Sequence, residues 1–266
     1  MAGIPYPRRS VTTIDDEASR KDAERRYPDV LDESGRRWLR DKPFGGPTRE
    51  TGRHLIDSGY LIQLLGVEPG RALRVCEIGC GPGWLSLFLA RAGATVVGLD
   101  ISPTMVAIAG ERAANEGVDG VSFLVADMED LPADLAGTFD ACVFYEALHH
   151  APRPAVALAQ ARELLRPGGV VLLSEPNWKH RFEGRQAARQ YGVTESGYST
   201  RAYRRMLRAS GFVDVQRFHN NRKRLFSNSP ADVLAHLAEP LVYRLLAPMW
   251  TASWLRARAA GERPTT

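Results

Sequence analysis

Two adjacent histidines are the residues of this sequence best suited to proton transfer. His149 and His150 follow an apolar run at positions 141–145 and precede Pro152. A neutral imidazole can accept a proton near pH 7, and a positioned base typically speeds attack by a hydroxyl by ~10²–10⁴-fold. One of the two histidines is therefore a candidate general base for a substrate hydroxyl. The alternative role is structural, with a histidine that caps the loop before Pro152.

A second chemical signal is a glycine-rich turn that begins with an acid. Residues 77–83 read Glu-Ile-Gly-Cys-Gly-Pro-Gly, between a short apolar run at 74–76 and a helix-like run at 84–90. Glycines let the backbone turn sharply and let a ligand approach where a Cβ would clash. Asp100 ends the next apolar run, where a carboxylate can accept hydrogen bonds from both hydroxyls of a ribose. This order of strand, turn and helix predicts a site that cradles a nucleotide.

The elements that would position these residues alternate along the chain. Apolar spacing and stop signals predict helices over 53–65, 102–115, 154–166 and 200–210. Ser102 is suited to cap the second helix, with Pro103 in its first turn. A turn at 167–169 is expected to lead into the fifth strand. Alternating strands and helices are typical of α/β proteins, which bind ligands at the carboxyl ends of their strands.

Several motifs resemble those of one family in their order and spacing. The acid and three glycines of residues 77–83 resemble motif I of the class I S-adenosylmethionine-dependent methyltransferases. Residues 123–128, 139–146, 164–176 and 211–216 resemble later strands of that family, so the resemblance covers roughly residues 55–215. Residues 147–150 are most similar to the ubiquinone/menaquinone-methyltransferase-like subgroup. The resemblance implies a doubly wound, Rossmann-like α/β sheet of seven strands with an antiparallel final hairpin.

The resemblance also implies S-adenosylmethionine as the cofactor and assigns its site. Asp100 would bind the ribose, Asp127 the adenine amino group, and Tyr145 the methionine part. The expected cofactor-binding residues are Glu77, Gly79, Gly81, Gly83, Asp100, Ile101, Met105, Asp127, Met128 and Tyr145. Of the two catalytic candidates, His149 and His150, the resemblance favours His149 as the base. The candidate substrate contacts are Tyr60, Glu146, Glu175 and Trp178.

A metal site is not expected. Glu175 could bind a divalent cation together with one of the two histidines, but no spaced ligand motif supports this. The three cysteines, Cys76, Cys80 and Cys142, fall in or beside predicted core strands. We expect them to be buried thiols in a reducing, cytoplasmic setting rather than metal ligands or disulfides.

Length and composition favour one large domain with additions at both ends. The chain has 266 residues, of which 44% are hydrophobic, enough for a sizeable core. It has no run of about 18 apolar residues that could span a membrane, and no signal-peptide pattern opens it.

We expect three regions. Residues 1–50 are a polar arm and cover, of which about the first twenty lack fixed structure and residues 38–47 form a packed loop. Residues 51–228 are the methyltransferase domain, with a substrate-cover insertion at 178–200. Residues 229–266 are a helical extension that would pack on the core or a second subunit, cover a hydrophobic substrate, or lie on a membrane surface.

The expected reaction is methyl transfer to a hydroxyl oxygen of a small molecule, such as a secondary metabolite, a sugar or a lipid-linked glycan. The alternatives are C-methylation of a quinone-like or sterol-like substrate, methylation of RNA, and cofactor binding without catalysis. Residues 178–224 carry twelve Lys or Arg against three acidic residues. This excess indicates either an acidic substrate or a solvated helix face. Nucleic acid is not an expected partner, while a homodimer and peripheral contact with a membrane stay open.

Overall fold

The protein is described from a computed structural model, which covers residues 17–68, 70–218, 230, 234 and 252–260. Its strands are β1 (Arg74–Ile78), β2 (Thr95–Asp100), β3 (Val121–Val125), β4 (Phe139–Tyr145), β5 (Leu165–Glu175), β6 (Phe212–Phe218) and β7 (Ser253–Ala259). They form one sheet in the order β3-β2-β1-β4-β5-β7-β6. The first five strands pair in parallel, and β7 runs antiparallel to both neighbours. The expected seven-stranded α/β fold is confirmed.

The helices connect the strands and add a layer ahead of β1. They are α1 (Glu17–Val30), α2 (Glu33–Asp41), α3 (Thr48–Leu65), α4 (Trp84–Arg91), α5 (Pro103–Asn115), α6 (Pro154–Leu164), α7 (His180–Glu183), α8 (Arg185–Tyr191) and α9 (Thr200–Ala209). Ser102 caps α5 as predicted, accepting a hydrogen bond from the Met105 amide 3.4 Å away, with Pro103 in the first turn. A short 3₁₀ turn, Leu148–His150, follows β4.

The core lies on both faces of the sheet. Cys142 and Phe144 pack with side chains of α6 and α9, whereas their neighbours Ala141 and Val143 pack with side chains of α3 and α4. Successive side chains of a strand point to opposite faces, so β4 is buried along its length by the two helical layers. All three cysteines are buried and unpaired. None of the helices within the described residues is long and apolar enough to cross a membrane.

The carboxyl-terminal region differs from the expected helix. Ser253–Ala259 is strand β7, wedged between β5 and β6. Trp254 and Leu255 are buried there, and from Leu255 onward the buried side chains alternate with the more accessible Arg256 and Arg258. This period of two is a strand signal, which the helical spacing of the preceding apolar residues obscured. Between positions 229 and 251 of the expected extension, all residues except 230 and 234 lie outside the described residues.

Three further expectations are corrected. Trp38 lies in α2 rather than in a loop, because Asp32 caps that helix through its side chain. Strand β5 begins at Leu165, so residues 167–169 belong to the strand, and its register against β4 shifts there. The first twenty residues are also not uniformly without structure, since α1 begins at Glu17.

Candidate active site

A cavity of about 480 Å³ opens at the carboxyl ends of the parallel strands. This volume lies in the range of roughly 300–1,000 Å³ that small-molecule sites occupy. Helices α1 and α2 and the segment after β5 contribute to its walls. The expected site residues that line it are Glu77, Gly79, Gly81, Asp100, Ile101, Met105, Asp127, Met128, Tyr145, Glu146, His149 and His150. The structure therefore brings most of the predicted residues together.

Four predicted residues do not line the cavity. Gly83 is the N-cap residue of α4, and Glu175 is fully buried behind His149. Tyr60 packs edge-on against Trp254, with ring centres 6.3 Å apart. Trp178 is turned outward against Phe182. Glu175 is kept from the cavity by its burial, and Trp178 by its outward orientation.

The glycine turn meets two physical requirements. At Gly79 the φ angle is 76°, and an added Cβ would lie 2.5 Å from Ala147 Cβ. Gly83 also has a φ of 76°, and its Cβ would lie 2.7 Å from Ala109 Cβ. Both positions therefore require glycine for packing. Gly81 is different, because nothing lies within 4 Å of its Cβ position, and it leaves open space beside the cavity for a ligand.

Two carboxyl groups flank this turn, of which Glu77 is buried and Asp100 half-buried. Asp100 Oδ2 accepts the Gly81 amide at 2.8 Å and its Oδ1 accepts the Ser102 amide at 2.9 Å. Each oxygen keeps a further lone pair for a ligand, while burial raises the pKa of Asp100. Glu77 accepts the hydroxyl of Ser86 at 2.5 Å. Burial raises the pKa of Glu77 to about 8, so its carboxyl is ready to ionise when a cation arrives.

The adenine end predicted around Asp127 includes a residue that the motifs did not reveal. Lys21 of α1 lies 2.8 Å from Asp127 Oδ2 and 2.8 Å from Glu129 Oε2. Asp127 Oδ1 accepts the Glu129 amide at 2.9 Å. Helix α1 thus covers the end of the cavity formed by Asp127, although only Ala23 and Pro28 of its side chains are buried.

The two histidines have different environments. Glu175 Oε2 lies 2.8 Å from His149 Nδ1, and its two oxygens also accept the amides of residues 147, 148 and 149 at 2.9–3.2 Å. The carboxylate accepts a hydrogen bond from Nδ1–H, so Nε2 of His149 carries the free lone pair. Burial, followed by the nearby His150 and His180, lowers the pKa of His149 well below its usual value. Burial raises the pKa of Glu175 to about 7, although the hydrogen bonds from its three backbone donors lower it.

His150 is held as a cation instead. Its Nδ1 donates to Thr194 O at 2.9 Å and lies 3.4 Å from Glu24 Oε1. Burial alone would lower the pKa of His150, but Glu24, Glu195 and Glu175 together raise it to about 10. A histidine that remains protonated at neutral pH cannot accept a proton, so only His149 is suited to act as a base.

The segment after β5 completes the wall beside His149. Glu195 Oε2 lies 2.6 Å from His180 Nε2 and 3.8 Å from His149 Nε2. The Ser196 amide donates to His149 O at 3.1 Å. Ligand atoms of His149, His150 and Glu195 lie within 4.8 Å of one another and could hold a metal ion. Sequence patterns did not reveal Glu24 and Glu195, because each lies on an element remote in sequence from the histidines.

Cationic and aromatic side chains form the wall opposite the histidines. Arg53 of α3 pairs with both carboxylate oxygens of Glu146, one of them at 3.0 Å. Tyr145 donates to Asp57 Oδ2 at 2.7 Å. The imidazole of His54 stacks on Trp84, with ring centres 4.9 Å apart. The first half of α3 thus contacts the end of β4 through side chains.

The fold and this site define a class of protein, and comparisons with known proteins agree. Residues 76–173 match the family model described as a methyltransferase domain. The match covers 98 of the 266 residues and identifies a methyltransferase domain in this part of the chain. The fold resembles that of magnesium protoporphyrin IX methyltransferase from Synechocystis PCC 6803, solved with bound S-adenosylmethionine, at a TM-score of 0.60 and 19% identity over 94% of this chain and 100% of that one.

Curated relatives match part of the chain. The chain is 41% identical to the ubiquinone biosynthesis O-methyltransferase of Xanthomonas axonopodis pv. citri over 111 positions. These positions make up 42% of this chain and 46% of the relative. The protein of the same name from Xanthomonas euvesicatoria is 39% identical over 104 positions, 39% of this chain and 43% of the relative. The match thus spans less than half the length of these relatives. A putative methyltransferase of Haloferax volcanii, solved with the Trm112 activator, shares the fold at a TM-score of 0.61 and 23% identity, over 87% of this chain and 99% of that one.

Proposed function

We propose that the protein transfers a methyl group from S-adenosylmethionine to a hydroxyl oxygen of a small molecule. A secondary metabolite, a sugar or a lipid-linked glycan fits this description. The relatives named above are O-methyltransferases, which favours oxygen over carbon as the acceptor atom. The observation that carries the proposal is the bond between Glu175 and His149 Nδ1, because it leaves a neutral imidazole nitrogen at the cavity.

Acidic residues and the open glycine would hold the cofactor. Asp100 would accept the two ribose hydroxyls, and Asp127 the adenine amino group. Glu77 would face the cationic amino group of the methionine part, close to Tyr145. Gly81 leaves space for the ligand to approach the backbone. Ile101, Met105 and Met128 would supply apolar contacts.

The chemistry of the bound cofactor is simple: it supplies an electrophilic methyl carbon on a sulfonium. His149 Nε2 would take the hydroxyl proton while the acceptor oxygen forms its bond to that carbon and the carbon–sulfur bond breaks, which leaves the neutral thioether of S-adenosylhomocysteine. Glu175 would stabilise the imidazolium that results, since a buried carboxylate beside a new cation is favourable. Alignment of the acceptor within the cavity supplies the rest of the rate, up to ~7–11 kcal/mol in the best intramolecular cases.

The test is an acceptor screen followed by substitution of each histidine. Sugars, phenols, polyketides and quinones are incubated with methyl-labelled S-adenosylmethionine, and the product is analysed for methylation at oxygen or carbon. His149→Ala should then lower kcat by ~10²–10⁴-fold and leave the cofactor Kd unchanged. His150→Ala is the matched control. Because the pKa of His150 is raised to about 10, its replacement should not remove the base.

Three results would contradict parts of the proposal. A product methylated at carbon would contradict oxygen as the acceptor atom. Equal losses of kcat in both histidine variants would contradict the assignment of His149, rather than His150, as the base. An absence of turnover with every acceptor, despite tight cofactor binding, would favour a binding protein without catalysis.

A further inference from the structure

One cation in the cavity wall has no carboxylate partner. Lys42 follows α2, and its ammonium lies 4.0 Å from the centre of the Trp38 ring. Among the residues that the structure describes, no carboxylate oxygen lies within 4.0 Å of this ammonium. Burial lowers the pKa of Lys42, although Glu146 and Glu50 oppose that effect. Lys42 is half-buried, and a partly desolvated charge gains free energy when a counter-ion arrives.

The nearest acid in this wall is already engaged. Glu146 pairs with Arg53 through both of its oxygens. Arg53 and Lys42 are two cations near this one carboxylate of the lining, and Glu50, which acts on Lys42 as well, does not line the cavity. The opposite wall has the reverse balance, since Glu24 and Glu195 surround His150 there. The cavity is thus polarised, and an anion would be attracted to the side of Lys42.

The surroundings of Lys42 specify more than charge. Trp38 also lines the cavity and is half-buried, so its indole offers an apolar surface to a flat group. Trp84 lines the cavity too, but it is buried and His54 stacks on its ring. A lysine ammonium recognises an anion as a compact point charge. An ionised group attached to a flat ring would satisfy both features at once.

We propose that Lys42 is the anion-binding residue of the acceptor site, and that the acceptor carries a carboxylate or similar anionic group beside a flat apolar part. This inference rests on the methyl-transfer function proposed above, because it concerns the acceptor of that reaction. The amino-terminal helices, which cover the cavity, would thus help to select the class of acceptor. The carboxylate of the cofactor's own amino-acid part is a second source of the same chemistry, and the experiment separates the two.

The experiment is calorimetric titration of the whole protein with matched probes, and it requires no turnover. Benzoate and benzamide differ in charge but not in shape, and each is titrated into protein saturated with S-adenosylhomocysteine. Lys42→Met removes the charge, Lys42→Arg keeps it, and Lys179→Met removes a lysine that does not line the cavity. Thermal unfolding of each variant verifies folding. If Lys42→Met does not fold, the comparison of benzoate with benzamide in wild type and in Lys42→Arg still tests the role of charge.

We expect benzoate to bind wild type more tightly than benzamide and to lose roughly tenfold to a hundredfold in affinity in Lys42→Met, as for a hydrogen bond to a charged group. Lys42→Arg and Lys179→Met should retain most of the benzoate affinity, and benzamide should bind all four proteins alike. Equal affinity for benzoate and benzamide in wild type, absent benzoate binding, or an unchanged benzoate affinity in Lys42→Met would overturn the inference.

A second pair of ligands identifies the source of the anion. S-adenosylhomocysteine carries the amino-acid carboxylate, and 5′-methylthioadenosine lacks it. If Lys42→Met weakens only S-adenosylhomocysteine, the lysine binds the cofactor and the acceptor assignment is overturned. Failure of wild type to bind S-adenosylhomocysteine would instead contradict the proposed function itself, which keeps the two failures distinct.

Discussion

Binding of the cofactor should release a proton from Glu77. The carboxyl of this residue is buried, and burial raises its pKa to about 8. At pH 7 such a group is about nine-tenths protonated in the free protein. The cationic amino group of the methionine part would favour the ionised form, so the carboxyl should lose its proton when the ligand binds.

The magnitude follows from that pKa of about 8. Between pH 6 and 7 the free protein holds about 0.9 to 1 proton on Glu77, so the Kd for S-adenosylhomocysteine should fall roughly tenfold over this unit of pH. The range ends at pH 7 because the amino group of the ligand, with an ordinary pKa of about 7.7–8.0, begins to lose its own proton above it. The direction is therefore tighter binding as pH rises.

The assay is isothermal calorimetry with S-adenosylhomocysteine at pH 6.0, 6.5 and 7.0. Each titration is repeated in two buffers of different ionisation enthalpy, since the difference in observed heat counts the protons released. Glu77→Gln is the matched variant, because the amide oxygen can still accept the Ser86 hydroxyl but has no proton to release. The reasoning is refuted if wild type shows no buffer dependence, or if Glu77→Gln releases as many protons as wild type.

The same group has a consequence for the stability of the free protein. Its folded pKa of about 8 lies above its ordinary value of 4.5, so the folded state binds the proton more strongly than the unfolded state. The free energy of unfolding should therefore decrease as pH rises from about 4.5 towards 8, by a few kcal/mol in total. Urea unfolding of wild type and Glu77→Gln at pH 5 and 8 would show whether the variant loses part of this dependence.

Three further substitutions test separate parts of the site. Gly83→Ala should reduce the free energy of unfolding by roughly 2–4 kcal/mol, because the new Cβ would lie 2.7 Å from Ala109 Cβ at a φ of 76°; an unchanged urea midpoint would contradict this. Asp100→Ala should weaken cofactor binding by roughly tenfold to a hundredfold, since the ribose loses both acceptors, and an unaltered calorimetric Kd would rule out that assignment. Glu175→Ala removes the acceptor of His149 Nδ1 and should abolish the preference of His149 for the Nδ1–H tautomer, which ¹⁵N NMR of the imidazole detects; retention of that tautomer would show that the carboxylate does not orient the ring.

Local features of the fold could be predicted because their causes are local. A left-handed backbone conformation favours glycine for reasons local to the residue, and Gly79 has a φ of 76°. Likewise, Ser102 ahead of Pro103 starts a helix through its own side chain. The β7 strand was missed because its neighbours in sequence have helical spacing, while its neighbours in space, β5 and β6, decide its conformation.

Within the active site too, features with local causes could be predicted from the sequence, and features that depend on distant residues could not. The sequence by itself determined the fold class, the glycine turn, the acids at the ends of β1 and β2, and the presence of two histidines after β4, because each follows from residue type and short-range spacing. Only the tertiary structure decided that His149 is neutral and His150 is charged, since those states depend on burial and on Glu175 and Glu24, which lie far away in the chain. It also placed Lys42 in the cavity wall. Protonation and charge balance depend on distances in space, and these are set only when the chain is folded.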